Sequence, residues 1–93
     1  MEYLKIGETI EIGGIRLICT CSISPEQYDA FAGDQPIGYL RLRHGIFTVA
    51  YPDADGELIY EASPKGDGCF EDDERAYFLT KAIQILKSRA DAT

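Results

Sequence analysis

Apolar residues recur at every second position through most of the first two thirds of the chain, and at helical spacing through its last quarter. The alternation is clearest over residues 36–62, PIGYLRLRHGIFTVAYPDADGELIYEA, where His44-Gly45 and Asp53-Ala54-Asp55-Gly56 separate three short runs. That punctuation predicts three antiparallel strands, with Asp55-Gly56 turning on positive φ angles. In the first run Ile37, Tyr39, Arg41 and Arg43 share one face, and Leu40, Leu42 and His44 the other. Phe47, Val49 and Tyr51 then alternate with Ile46, Thr48 and Ala50, and Leu58, Tyr60 and Ala62 with Glu57, Ile59 and Glu61. One face of the predicted sheet is leucine, phenylalanine and valine; the other, with the arginines, Thr48 and the glutamates, is expected to be wet.

Upstream, Leu4, Ile6, Ile10 and Ile12 alternate loosely with polar residues, and Gly13-Gly14 permits a tight reversal into IRLICTCSI. There Ile15, Leu17, Cys19, Cys21 and Ile23 are expected on one face. Residues 24–33, SPEQYDAFAG, satisfy two patterns. Ser24 as N-cap, Pro25 at the first position, Gln27 completing a capping box and Gly33 at the end would make a short helix. Read as a strand entering a turn at Gly33-Asp34, the same segment makes the region one continuous meander with sequential neighbours paired, and strand is the assignment adopted. Ser63 to Phe70 reads as loop, and a helix is predicted over about residues 72–89, with Phe78, Leu79, Ala82, Ile83, Ile85 and Leu86 forming its apolar stripe. Glu71, Asp72, Asp73 and Glu74 suit its positive end, and Lys81, Lys87 and Arg89 lie towards its negative one. The predicted architecture is α+β: an antiparallel sheet, N-terminal hairpin plus meander, packed against one C-terminal helix in a single domain spanning 1–93.

A chain of 93 residues has room for one core, burying roughly 60–65% of the surface its unfolded form exposes. Its 45% hydrophobic content is that of an ordinary folded domain. The N-terminus shows no signal-peptide pattern and no apolar run approaches membrane-spanning length, so a cytoplasmic protein without a membrane role is expected. Three cysteines without an export signal argue for reduced thiols. Formal net charge is −7, and between Asp53 and Glu74 nine carboxylates face a single cation, Lys65. Such a surface repels phosphate backbones, disfavouring direct DNA or RNA binding over the acidic face, and attracts a basic protein.

Candidate chemistry is sparse. Cys19, Cys21, Cys69 and His44 have the composition of a zinc site, but structural zinc takes cysteines from turns, and buried thiols acting as small hydrophobes are the preferred reading; no metal or cofactor is assigned. The Asp53–Gly56 loop lacks acids at the first and last calcium positions, and Gly66-Asp67-Gly68 lacks the Lys-Ser/Thr of a phosphate loop. With one histidine and no nucleophile motif, no catalytic residue is assigned and a non-enzymatic protein is expected. Arg41 and Arg43, beside Tyr39, are a candidate anion site, in which two guanidinium forks would hold a phosphate or carboxylate and the ring would stack on a base. The competing reading pairs them across strands with Glu57, Glu61 or other acids.

The strings EQYDAFAGDQPIGYLRLRHGIFTVAYP and YEASPKGDGCFEDDER resemble those of short uncharacterised proteins carried by bacteriophages and prophages of gut-type bacteria, over about residues 15 to 89. The resemblance implies no activity, only a context in which small acidic proteins often inhibit a host defence or regulatory protein, some by imitating nucleic acid. The leading expectation is therefore an inhibitor or adaptor presenting Asp67, Glu71, Asp72, Asp73 and Glu74 to a basic host protein, nucleic-acid-binding proteins included. The alternative is a small-molecule module that sequesters an anionic nucleotide through Tyr39, Arg41 and Arg43. Exposed edge strands leave room for a homo-oligomer.

Overall fold

The computed structural model describes residues 5–21 and 25–92. Six strands, β1 (Thr9–Ile12), β2 (Ile15–Cys21), β3 (Glu26–Ala32), β4 (Gln35–Arg43), β5 (Ile46–Tyr51) and β6 (Glu57–Ala62), form one antiparallel sheet in the order β1-β2-β3-β4-β5-β6. A single helix, α1 (Asp72–Asp91), follows. This is the expected α+β meander with one C-terminal helix, and residues 26–32 are strand. The first strand starts later than alternation suggested: Gly7, at φ 90°, turns the chain before Thr9 and leaves Ile6 70% exposed. Leu4, Ile23 and Ser24 lie outside the described residues.

Two-residue turns set the register. Gly13-Gly14 and His44-Gly45 have positive φ at both central positions, the twist that matches hairpin strands, whereas in Gly33-Asp34 only the first is positive. The β5–β6 connection works differently. Gly56 is not left-handed; a Cβ there would lie 2.0 Å from the Tyr51 carbonyl oxygen, so close approach of two backbones, not a positive φ, excludes a side chain.

One face of the sheet carries the core: Leu17 and Cys19 from β2, Tyr28 and Ala30 from β3, Leu40 and Leu42 from β4, Phe47 and Val49 from β5. Helix α1 covers it over β4, β5 and β6 with Leu79, Ala82, Ile83 and Leu86 buried. Gly38 makes that approach possible, since a Cβ on it would meet Leu86 Cδ1 at 2.4 Å. The loop before the helix is anchored by Phe70, fully buried with its ring 5.0 Å from Phe47 edge-on and stacked on Phe78 at 5.6 Å. Composition assigned 63–70 to loop but gave no sign of this anchor.

Three register shifts correct the expected faces. Between Cys19 and Cys21 the strand bulges, so Cys19 is buried opposite Tyr28 while Cys21 opposes Gln27 on the other face; the two thiols do not share a side. A second bulge places Ile37 among the core residues. A third, between Val49 and Ala50, sets Leu58 opposite Ala50 and leaves it 58% exposed. In each case one extra residue resets the period of two.

Phe70→Ala is expected to cost about 3–5 kcal/mol of unfolding free energy, because it empties the junction of three aromatic rings. Urea denaturation measures it, and a loss below about 1 kcal/mol would show that the loop does not depend on this anchor.

Candidate functional site

The acidic stretch divides by burial. Glu74, in the first turn of α1, is only 7% exposed and accepts backbone N–H groups from Lys65 (2.8 Å), Gly66 (2.9 Å) and Glu71 (2.9 Å). Burial pushes its carboxyl up, but these donors and the nearby Lys65 cation outweigh burial and hold it below the ordinary carboxylate range. It clasps the preceding loop to the helix start and does not face a partner. Asp72 and Asp73 are exposed, yet each holds a cation of its own chain, Arg75 at 3.0 Å and Lys65 at 2.6 Å. The hydrogen bond from Lys65, followed by its charge, draws the Asp73 carboxyl down. Asp67 and Glu71 are exposed and belong to no ion pair among the described residues. Asp53 and Asp55 sit at the β5–β6 turn, a strand length from Asp67 beside the β4–β5 turn, so the acidic segment does not form one patch.

Arg75 also reaches across the fold to a group that sequence reasoning missed. Glu26, the first residue of β3, is 2% exposed; Arg75 Nε and Nη2 donate to its two oxygens at 2.9 and 3.2 Å. The Tyr28 hydroxyl and the Phe70 backbone N–H (2.9 Å) donate to it as well, and Arg75 Nη2 donates to the Phe70 carbonyl at 2.9 Å. Burial and then the bond to Glu26 push the Tyr28 hydroxyl well above its usual range. Every strong acceptor site of a buried carboxylate is thereby engaged inside the chain, the signature of a structural group.

Tyr39, Arg41 and Arg43 all lie on the face of the sheet turned away from α1, as the alternation predicts. The ion pairs expected to consume the arginines do not form. Glu57 is bound by Arg89 at 2.7 Å, and no carboxylate among the described residues lies in ion-pair reach of Arg41 or Arg43. Arg41, Thr48 and Glu61 stand in one cross-strand row, and with Arg43, His44 and Ile46 they line a cleft of about 400 Å³. Thr48 Oγ1 donates to the Arg41 carbonyl at 3.5 Å, and Arg43 Nε donates to His44 Nε2 at 3.2 Å, steadying the floor and the turn. Tyr39 is not part of this lining. It lies one row away, between Asp29 and Ala50, and burial raises the carboxyl of that Asp29. A second cavity on the other side of Arg43 and His44 is bounded by Asp67, Pro25 and Gln27. Arg41 is thus the guanidinium with the less acidic surroundings.

Among the described residues no three His, Cys, Asp or Glu side chains are grouped to hold a metal ion, and burial pushes the Cys19 thiol up, away from the thiolate a metal needs. Among the same residues no helix is long and apolar enough to cross a membrane. Compared with protein-family models, with curated proteins and with solved structures, the chain matches none.

Two measurements test the polar clasps. Arg75→Met should cost about 3–5 kcal/mol by leaving Glu26 buried without its cation, and Glu26→Leu combined with it should cost less than the two single changes summed. Additive losses in a double-mutant cycle would show that the pair is not coupled. Glu74, whose folded pKa lies below its unfolded value of 4.5, contributes stability that is present above that pH and is lost as pH falls through the folded value. Glu74→Gln should therefore be less stable than the parent at pH 7, and the gap should close on acidification below pH 4.5; a gap constant with pH contradicts this role.

Proposed function

We propose that the protein is a non-enzymatic binding module that holds a small anionic ligand of the nucleotide class in the open-face cleft. The supporting observation is that Arg41 and Arg43 stand two residues apart on one strand face, lining a shared cleft with no carboxylate among the described residues within ion-pair reach. In a chain of sixteen acids and nine bases, Lys65, Arg75 and Arg89 are all taken up by carboxylates. Two forked donors side by side suit a phosphate or carboxylate, which each can grip in bidentate fashion. Salt screens the excess negative charge beyond about 8–10 Å, so the nearest groups dominate at the cleft. Tyr39, a row away, is not part of the cleft and is given no contact with the ligand.

A second reading keeps the protein as an inhibitor or adaptor for a basic protein. It is favoured by Glu71, exposed beside Asp72 and Asp73 at the start of α1, and by Asp67, exposed next to the β4–β5 turn, and it excludes Glu74, which is turned inward. Binding of that kind weakens steeply with salt and depends on Asp67 and Glu71.

The cleft is tested by thermal shift and calorimetry with nucleoside monophosphates. Arg41→Ala should abolish the stabilisation given by the ligand, at least a tenfold loss of affinity, while leaving the melting temperature of the unliganded protein within a few degrees of the parent. Equal ligand shifts in variant and parent would remove the cleft from consideration; a salt-sensitive protein partner lost on neutralising Asp67 and Glu71 would establish the second reading.

A further inference from the structure

The wall of the cleft facing the arginines is a carboxylate. Glu61 sits in the same cross-strand row as Arg41, with Thr48 between them, and is exposed on the cleft side without a hydrogen bond or ion pair among the described residues. Two strand spacings separate Arg41 from Glu61, about 10 Å from backbone to backbone. A simple oxyanion engages one end of such a site and is repelled at the other. The ligand that satisfies both ends is an anion whose far side is a hydrogen-bond donor.

We infer that the cleft selects a guanine nucleotide, with Arg41 and Arg43 on the phosphate and Glu61 on the base; this rests on the reading of the cleft as an anion site. A carboxylate is acceptor-only, with two oxygens, so it is matched by two adjacent donors that point the same way. Among neutral nucleobases guanine meets this: N1–H and the N2 amino group are adjacent and point the same way, matching the two oxygens of one carboxylate. On the pairing edges of adenine and cytosine the amino donor stands next to a ring-nitrogen acceptor, and the uracil N3–H lies between two carbonyls. Each of those would bring a lone pair against Glu61. In a cleft of about 400 Å³ lined by both ends, a nucleoside 5′-monophosphate would lie above the row, phosphate towards β4 and base towards β6. Ile46, 43% exposed at the cleft, supplies apolar surface, and Thr48 lies beneath the sugar. Glu61 is a specificity residue in this arrangement, and Arg41 carries affinity for every phosphate ligand.

The test is a calorimetric comparison of GMP, AMP and inorganic phosphate on the full chain, the Arg41→Ala variant and the Glu61→Gln variant. The parent should bind GMP at least tenfold more tightly than AMP, since a good bidentate contact discriminates by that order. Glu61→Gln should bring GMP down to the AMP level and leave AMP and phosphate unchanged or slightly tighter, because the opposing charge is gone. Arg41→Ala should weaken all three. Equal binding of GMP and AMP by the parent, or a GMP preference that survives Glu61→Gln, overturns the guanine assignment while the anion site stands. Absence of binding by any of the three to the parent overturns both.

Discussion

The carboxylate of Glu26 is the point on which the remaining architecture depends. It begins the third strand, is sealed from water, and receives the guanidinium of a residue 49 positions away together with the backbone of the loop that precedes the helix. A buried charge of this kind adds little net stability compared with a well-packed apolar group, because desolvation consumes most of the Coulomb attraction. It is costly only when half of it is missing. Its effect is directional: α1 begins where Arg75 reaches Glu26, and that pairing favours the end of the sheet at which the helix starts. Glu74 completes the arrangement by turning its oxygens onto the loop backbone, and Phe70 fills the core beneath.

With the helix start held there, α1 crosses β4 to β6 and leaves the opposite face uncovered. The two sides of β4 consequently have different roles. Gly38, Leu40 and Leu42 receive the helix, while Arg41 and Arg43 between and beyond them face solvent and make the cleft. The same strand alternation that builds the core therefore presents the cationic groups, and the rigidity of a central strand positions them better than a loop would.

Much of this was legible in the sequence because period-two alternation and tight turns are local signals. The meander, the helix and the placing of the arginines on the wet face all follow from them. Residues 26–32 carried local helix signals at Pro25 and Gln27, and what overrode these was nonlocal: pairing on both sides and a carboxylate that needs Arg75. The faces of Cys21 and Leu58 could not be read, since a bulge adds one residue without any compositional mark. Glu74 and Asp73 are adjacent acids in one run, and only the path of the loop decides that one is interior and the other solvated. The separation of Tyr39 from the cleft had the same origin, because its other walls come from β5 and β6.

The bulge between Val49 and Ala50 has a consequence at the sheet's outer margin. An edge strand offers a row of unpaired backbone groups on which another chain can template, and flat, uncharged edges are where sheets grow into aggregates. Along β6 the ladder is broken after three residues, so the strand does not present one flat, continuous row of backbone groups to a further copy. The irregularity that exposes Leu58 thus also makes β6 a poor template for a further strand.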